Sequence, residues 1–456
     1  GNGWDFKSFI RRVNIMLSHI DNSSMTEAQK DHWRAVGYFF HSFWYMELID
    51  RFGDVPWVDQ VLQEDSPEAY GPRVDRKTVA DKVLERLQWA EQNIGNFTSQ
   101  DGDNTINQDC VRAVISRFGL REGTWRKYHE LGDAEKYLQE CVRASELLMA
   151  AYPTLYTGTD GQPGAGYGEM WTTEDLGQVP GIILYKSYVK DINPMGMSYI
   201  EHTSSHYVEM NQNTVDLYLM KNGKPILADG SGYHGNKDMY AVFRDRDPRL
   251  YQTVADSLRI MSAMGTNYTE GTSPTGYPTK KFLNDEWWVA GLDYCTGRLS
   301  PADAPCIRYA EVLLNYVEAR YEIAQVGGNA FTQSDLDKSI NELRDRQLTK
   351  WGDTEAKTMP KVQLNGGNLS VNGVVINDPA RDPDVNPVLW EIRRERRIEL
   401  IMEGRRGEDL RRWAKFEYLN SEDANGYPAM SFLGAYVNMA DYPEISSKDD
   451  SGKRVL

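Results

Sequence analysis

Apolar side chains recur every three or four positions through most of the first 150 residues, which is the spacing of amphipathic helices. The clearest stripe follows a capping box formed by Thr26 and Gln29, and it ends at Gly53 and Pro56. Further stripes cover residues 79–94, 110–117 and 133–148. Helices joined by loops of moderate length predict stacked antiparallel pairs, as in helical-repeat proteins.

Residues 151–300 have a different pattern, dominated by Gly, Pro, Tyr, Asn and Ser. Helical periodicity is lost there, and residues 158–168 consist largely of turn formers. Short alternating stretches such as 215–220 predict small strands. A long irregular region inside a compact protein is usually functional, so we expect the ligand-binding residues in this part of the chain.

Helical spacing returns over residues 307–324. Ser334 with Asp337 predicts the start of the next helix, and the Asn-Pro step at 386 predicts a helix that runs to residue 404. We therefore expect a single domain. Its parts are a helical scaffold at 1–150, a loop-rich ligand-binding region at 151–300, and further scaffold with a coil tail at 301–456.

Charge and hydropathy restrict the classes of function. Asp and Glu total 67 against 51 Lys and Arg, a formal charge of −16. This argues against a nucleic-acid-binding protein, because phosphates require a basic face. The apolar share of 40% and the charged share of 26% exclude wholesale disorder. No apolar run approaches the roughly 20 residues that cross a bilayer.

Motifs for metals, cofactors and catalysis are missing from the sequence. The cysteines show no C-x-x-C spacing, and Cys295 and Cys306, which flank a loop, form either a disulfide or two buried thiols. His202 and His206 lie four apart without clear helical character, and the turn at 245–249 alternates two aspartates with two arginines, which favours internal pairing over metal binding. No G-x-S-x-G elbow or phosphate-binding loop is present. We expect no metal, no cofactor and no catalytic residue.

Four carboxylates share one helical face, because Glu391, Glu395, Glu399 and Glu403 are spaced by four. Two of them could act as an acid–base pair. Neighbouring arginines on the same helix would keep these carboxylates ionised, which is the wrong state for a general acid. A structural ion-pair lattice is the favoured interpretation. The residues assigned to it are Arg308, Glu311, Glu395, Arg396, Glu399 and Glu403.

Aromatic residues are numerous: 12 Trp, 26 Tyr and 13 Phe. A flat ring can cover the apolar face of a sugar while polar side chains bind its hydroxyl rim. The alternative is that the rings anchor long loops to the helical core. The rings predicted to contact a ligand are Trp171, Tyr199, Tyr207, Tyr233, Trp287 and Trp288.

Six segments carry motifs that recur together in one protein family. They are 51–56 (RFGDVP), 76–80 (RKTVA), 245–249 (DRDPR), 307–319 (IRYAEVLLNYVEA), 341–346 (NELRDR) and 395–413 (ERRIELIMEGRRGEDLRRW). In these segments the chain resembles the SusD/RagB family of surface glycan-binding lipoproteins. The resemblance spans roughly residues 10–415. The motifs belong to the family's scaffold, so no ligand-binding residue is transferred from them.

The resemblance implies a mostly α-helical fold, with tetratricopeptide-like helix pairs and a loop-rich, minor-β ligand-binding region. It implies a cofactor-free, non-enzymatic protein at the surface of the outer membrane. Such a protein captures oligosaccharides or polysaccharides and delivers them to a SusC-like, TonB-dependent transporter. The implied membrane contact is an N-terminal lipid anchor, whose cysteine does not open this chain.

There are two alternatives to glycan binding, the first on the same scaffold and the second, a more remote one, on a helical framework. A RagB-like relative would bind a peptide or protein, and a glycoside hydrolase would use paired carboxylates. For a glycan-binding protein, the net charge of −16 favours a neutral or basic oligosaccharide over an anionic one.

Overall fold

The computed structural model describes residues 8–95, 104–158, 166–195, 210–254, 275–277, 279–282, 290, 299–349, 356–420 and 433–436. The chain forms two compact units. The first unit comprises 1–153, 307–331 and 404–415, and the second comprises 154–306, 332–403 and 416–456. The organisation into one domain with three consecutive regions stays a prediction.

Helices dominate both units. They are α1 (Ile10–Ile20), α2 (Glu27–Phe52), α3 (Arg76–Asn93), α4 (Gln108–Tyr128), α5 (Ala134–Ala151), α6 (Gln212–Leu217), α7 (Met239–Phe243), α8 (Pro248–Thr253), α9 (Tyr309–Gln325), α10 (Gln333–Asp337), α11 (Ile340–Asp345), α12 (Pro387–Glu399) and α13 (Arg406–Arg412). Single 3₁₀ turns lie at Pro67–Ala69, Glu169–Thr172, Leu176–Gln178 and Phe416–Leu419. In the described part of the chain, no helix is both long and apolar enough to cross a membrane.

The strands are short. They are β1 (Ile182–Lys186), β2 (Ala304–Arg308), β3 (Leu348–Thr349), β4 (Ala356–Lys357), β5 (Gln363–Asn365), β6 (Asn368–Val371) and β7 (Val374–Val375). β1 pairs with β2, β3 pairs antiparallel with β4, and β5, β6 and β7 form an antiparallel sheet in that order. The mostly-α fold class with minor β structure is therefore confirmed.

In the first unit, each of the helices α1 to α4 packs on the next one, α5 packs on α9, and α4 also contacts α9 and α13. This neighbour-to-neighbour pattern is the one expected for stacked helix pairs. Glycine allows α4 and α5 to approach closely. A Cβ atom at Gly119 would lie 2.6 Å from the carbonyl oxygen of Tyr137 and 2.8 Å from the amide nitrogen of Cys141.

Buried ion pairs cross-link the helices of the first unit. The Arg117 guanidinium of α4 donates to both carboxylate oxygens of Glu311 in α9, at 2.6 and 2.7 Å. Arg412 of α13 likewise forms a bidentate pair with Glu318, with bonds of 2.6 and 2.7 Å. The indole of Trp413 donates a further bond to Glu318 at 2.7 Å. Bidentate Arg–carboxylate hydrogen bonds fix the orientation of the helices that carry these residues.

Several predicted helix ends agree with the structure. The capping box of Thr26 and Gln29 begins α2, and Gly53 ends it with a left-handed φ of 70°. The cap of α10 differs from the prediction, because Thr332 and Asp335, rather than the later Ser334 and Asp337, form the capping box.

Two other boundaries are corrections. The stretch 215–220 is expected as a strand, but helix α6 occupies its first half. The side chain of Asn211 accepts the amide N–H of Thr214 and starts this helix, so local capping outweighs strand propensity. Helix α12 ends at Glu399 rather than at residue 404, and Met402 adopts a left-handed φ of 62° shortly after it.

A histidine in α2 is buried beneath the segment that follows the helix. The Nε2 atom of His41 lies 3.0 Å from the carbonyl oxygen of Val58, and the ring centroid lies 5.0 Å from that of Trp57. Desolvation, assisted by the positive charge of Arg86, lowers the pKa of His41 to about 3. His41 is therefore neutral in the folded chain at physiological pH.

This burial predicts a pH dependence of stability. Between pH 6.5 and 3 the unfolded chain binds a proton at His41 that the folded chain excludes, so the free energy of unfolding falls as the pH falls. We expect His41→Gln, whose amide can still donate to Val58, to remove about 1.4 kcal/mol per pH unit from the slope between pH 6 and 4. Denaturant titrations of both chains measure the difference.

The matched control is His19→Gln, which removes an exposed imidazole of α1. This variant should keep the slope of the parent chain. Parallel stability curves for His41→Gln and the parent would contradict the assignment of a buried neutral histidine.

Candidate functional site

The rings predicted from the sequence fall into three groups. Tyr199, Tyr207, Trp287 and Trp288 lie outside the described residues. Tyr233 lies half-buried in a loop of the second unit. Trp171, in the 3₁₀ turn Glu169–Thr172, is only 5% exposed and packs in a core cluster.

Trp171 faces a cation of the protein itself. The Lys281 Nζ atom lies 3.9 Å from the Trp171 ring centroid, which is within cation–π range. Phe282 meets the same ring edge-on, at 5.2 Å between centroids. Stacking on a sugar requires an exposed face, and this ring has none. The structure therefore corrects the prediction for Trp171, which is a core anchor here.

Lys281 is itself fully buried and is held by polar bonds. Its ammonium donates to the hydroxyl of Tyr167 at 2.8 Å, to the carbonyl oxygen of Ile401 at 2.6 Å and to a Glu403 carboxylate oxygen at 2.9 Å. The Tyr167 hydroxyl in turn donates to the carbonyl oxygen of Glu399 at 3.0 Å. Glu403 is thus paired with Lys281, which is distant in sequence.

The carboxylates of α12 surround one buried arginine. Arg249 contacts Asp247 at 2.8 Å, Glu395 at 2.7 Å and Glu399 at 2.9 Å. Against the desolvation that would lower it, these three negative charges raise the pKa of Arg249 well above its ordinary value. Arg344 also contacts Glu395, at 3.3 Å. We call these residues, together with Arg346, the Arg249 cluster.

The ion pairs differ from the expectation in their partners. Arg346 donates to both oxygens of Glu399, at 3.0 and 2.8 Å. The arginines on Glu395 and Glu399 thus come from other segments of the second unit. Arg394 shows the expected pairing along the helix, with Glu391 at 3.1 Å. The remaining predicted members, Arg308 and Arg396, are buried.

An exposed ring marks the described part of the loop-rich region. Tyr240 lies in α7 and is 71% exposed. The carboxylate of Asp238 caps this short helix by accepting the amide N–H of Ala241 at 2.7 Å. The guanidinium carbon of Arg244 lies 5.8 Å from the Tyr240 ring centroid. A flat apolar ring therefore stands beside a planar cation in contact with solvent.

The Asp245 carboxylate contacts three side chains next to this ring. One of its carboxylate oxygens accepts from Lys221 Nζ at 2.7 Å. The other lies 3.1 Å from His234 Nε2 and 3.7 Å from Arg244 Nε. Hydrogen bonds from Lys221 and His234 hold the pKa of Asp245 below its ordinary value. The set of Lys221, His234, Tyr240, Arg244 and Asp245 is called the Asp245 surface below.

The main chain fixes this surface. The amide N–H of Lys221 donates to the carbonyl oxygen of Asp245 at 2.7 Å, and Met220 forms an antiparallel bridge with Arg246. Asp245 adopts a left-handed φ of 59°, which aspartate tolerates better than most residues. Gly223, with a φ of 81°, turns the chain just after Lys221. A Cβ atom at Gly223 would lie 3.1 Å from a methyl group of Val371.

The buried side chain of Arg246 supports the main chain at the Asp245 surface. Its guanidinium donates to the carbonyl oxygens of Val242, Val215 and Tyr218, at 2.9, 2.7 and 2.8 Å. Desolvation lowers the pKa of Arg246. The Tyr233 ring lies over this guanidinium at 5.4 Å, and burial raises the pKa of Tyr233 to about 12. The predicted ring at 233 is therefore part of the support for the Asp245 surface.

Sequence reasoning missed Tyr240 as a ligand candidate. The available signal was its position, five residues before the turn of alternating charges at 245–249. That turn divides its roles, since Asp247 pairs with Arg249 whereas Asp245 faces the surface cations. Across the part of the chain that the structure describes, no group of three or more His, Cys, Asp and Glu side chains is placed to hold a metal.

Comparisons with known proteins give one consistent family. The model described as the SusD family matches residues 186–453. A curated relative, SusD-like protein P2 of Formosa agariphila, is 22% identical over 393 residues. That match covers 83% of this chain and 64% of the relative, so the chain spans under two thirds of the relative's length.

Solved structures share the fold at low identity. A SusD-like carbohydrate binding protein from Bacteroides fragilis NCTC 9343 is 21% identical, with a TM-score of 0.64 over 95% of this chain and 80% of that chain. A laminarin binding SusD-like protein is 21% identical, with a TM-score of 0.54 over 90% of this chain and 77% of that chain. A structure with xylogluco-oligosaccharide is 17% identical, with a TM-score of 0.51 over 90% of this chain and 71% of that chain.

The Arg249 cluster predicts a large effect of removing one carboxylate. Glu399→Ala leaves Arg249 and Arg346 buried with incomplete pairing, so we expect a loss of about 3–5 kcal/mol in the free energy of unfolding. Glu85→Ala is the control, because Glu85 is an exposed residue of α3. It should change the stability by less than about 0.5 kcal/mol. Equal unfolding midpoints for the two variants would refute a structural role for the cluster.

Burial of Trp171 predicts that its replacement affects folding first. We expect Trp171→Ala to lower the free energy of unfolding by about 3–5 kcal/mol, because it empties a core site and exposes the buried Lys281 ammonium. The control is Trp33→Ala, which removes an exposed indole from α2. Thermal unfolding of both variants measures the difference. Normal stability of Trp171→Ala combined with lost glycan binding would return this ring to the ligand site.

Proposed function

Because the chain belongs to the SusD family, we propose that it is a non-catalytic, cell-surface protein that binds oligosaccharides. The family match covers residues 186–453, which is more than half of the chain. Two relatives of the same fold support a glycan ligand, since one is described as laminarin binding and another was solved with xylogluco-oligosaccharide. We infer that the captured glycan is delivered to a SusC-like, TonB-dependent transporter of the outer membrane.

The observation that carries the proposal is the composition of the Asp245 surface. It joins an exposed ring, Tyr240, to a rim of hydrogen-bonding groups on Lys221, His234, Arg244 and Asp245. A sugar places its C–H face on such a ring and its hydroxyl groups against such a rim. The backbone bridge between Met220 and Arg246 holds the two sides in place before a ligand arrives.

The state of the α12 carboxylates supports a non-catalytic role. Glu395 and Glu399 are buried and hydrogen-bonded to arginines, so neither can reach a glycosidic bond. Burial raises the pKa of Glu391, as a general acid would require. That carboxylate is nevertheless buried too, and it accepts a bond from Arg394 at 3.1 Å. Helix α12 therefore presents no pair of accessible carboxylates that could act on a glycosidic bond.

Further contacts and the cellular location are part of the same proposal. We propose that Tyr199, Tyr207, Trp287 and Trp288 add stacking rings to the ligand site, as their loop-rich surroundings in the sequence predict. Membership of the family supports attachment to the outer membrane through an N-terminal lipid anchor. The transporter would then receive the glycan at the cell surface.

Exchange of one ring tests the site. We expect Tyr240→Ala to weaken oligosaccharide binding about tenfold, which corresponds to ~1.4 kcal/mol, because the stacking face is lost while the fold is retained. Tyr70→Ala is the matched control, since Tyr70 is 78% exposed on the first unit. Isothermal titration calorimetry with laminarin and xyloglucan oligosaccharides measures both. Equal affinities for the two variants would remove Tyr240 from the ligand site.

The same titrations decide between the functions. Tight binding of peptides with no binding of any glycan would establish the peptide-binding alternative and refute the proposal. Release of reducing sugar during incubation would show a glycoside hydrolase instead. We expect saturable glycan binding and unchanged oligosaccharide length after prolonged incubation.

A further inference from the structure

The Asp245 surface is basic although the chain is acidic. Residues 221–246 contain five basic and three acidic residues, a net charge of +2, whereas the whole chain carries −16. Exposed charges farther away than about 10 Å are largely screened at physiological ionic strength. The charge that a bound sugar meets at the Asp245 surface is therefore set by the groups that lie there, the exposed Lys221 and Arg244 with the Asp245 carboxylate, rather than by the total.

Part of the negative charge in this segment is already engaged. The Asp238 carboxylate caps α7 through the amide N–H of Ala241. The Asp245 carboxylate alone faces two permanent cations, at 2.7 Å from Lys221 and 3.7 Å from Arg244. One carboxylate cannot neutralise both, so positive charge is left over beside the ring.

The surplus cations are open to solvent. The Lys221 side chain is 68% exposed and the Arg244 side chain is 50% exposed. The guanidinium carbon of Arg244 lies 5.8 Å from the centroid of Tyr240, so it borders any sugar stacked on that ring. An arginine at this position can bind a planar carboxylate or a sulfate group with two parallel hydrogen bonds.

We propose that the Asp245 surface binds a sugar residue that carries an anionic substituent, either a uronic-acid carboxylate or a sulfate ester. The inference rests on the proposed glycan-binding function and adds the ligand class. The sugar ring stacks on Tyr240, and its anionic group lies against Arg244 and Lys221. This replaces the expectation, drawn from the total charge, of a neutral or basic oligosaccharide.

Calorimetry with three oligosaccharides of equal length tests the inference. The probes are an oligogalacturonate, a sulfated carrageenan oligosaccharide and a neutral laminarin oligosaccharide. We expect at least one anionic probe to bind tenfold or more tightly than the neutral probe at 50 mM salt. Its affinity should fall several-fold at 300 mM salt, whereas the affinity for the neutral probe stays constant. The two anionic probes distinguish a carboxylate site from a sulfate site.

Two variants assign the effect to this surface. Arg244→Gln and Lys221→Gln should each weaken the anionic probe tenfold or more and the neutral probe less than twofold. Lys338→Gln, an exposed lysine elsewhere on the second unit, is the control and should leave all affinities unchanged. The pair of variants keeps the test decisive if one of them fails to fold, which thermal unfolding reveals.

The outcomes separate the two proposals. Tighter binding of the neutral probe, or equal losses for anionic and neutral probes in both variants, would overturn the anionic ligand class and leave glycan binding standing. Absence of binding for all three probes and for the wider glycan panel would instead refute the proposed function itself.

Discussion

Charge pairing in the absence of water is the constraint on which this structure depends. In the second unit, Arg249 is fully buried among Asp247, Glu395 and Glu399. Removing such ions from water costs several kcal/mol per ion, and only well-aligned multiple bonds offset that loss. Arg117 with Glu311 solves the same problem in the first unit, with two bonds at 2.6 and 2.7 Å. A buried arginine or carboxylate is therefore stable in the interior only when its charged partners are in position.

This constraint explains why the scaffold can be identified from sequence and the ligand site cannot. The segments 307–319 and 395–413 contain carboxylates held in buried ion pairs, among them Glu311, Glu318 and Glu399, where few substitutions preserve charge and geometry. Helix positions were also predictable, since apolar spacing and caps such as Thr26 with Gln29 act locally. The partners of Glu395 and Glu399 were not predictable, because Arg249 and Arg346 lie 150 and 53 positions away from Glu399 in the chain.

The aromatic residues show the same limit of sequence reasoning. Trp171 and Tyr240 both lie in the loop-rich region, and composition gives them equal claims to a ligand. The two rings differ in what covers them. Lys281, 110 positions after Trp171 in the sequence, places its ammonium against the Trp171 ring, whereas Tyr240 is 71% exposed and lies beside Arg244. A ring's exposure depends on which distant segment covers it, and periodicity carries no information about that segment.

Arg246 supports the main chain, whereas the side chains exposed at the Asp245 surface are available to a ligand. Its three bonds are made to backbone carbonyl oxygens, so they hold the chain at Val215, Tyr218 and Val242 whatever side chains those positions carry. The neighbouring Asp245 carries the exposed contacts. The exposed side chains can therefore be substituted while Arg246 keeps its bonds to these carbonyl oxygens. In the site that we propose, ligand preference follows from a few exposed charges beside one ring, and the total charge of the chain has little influence on it.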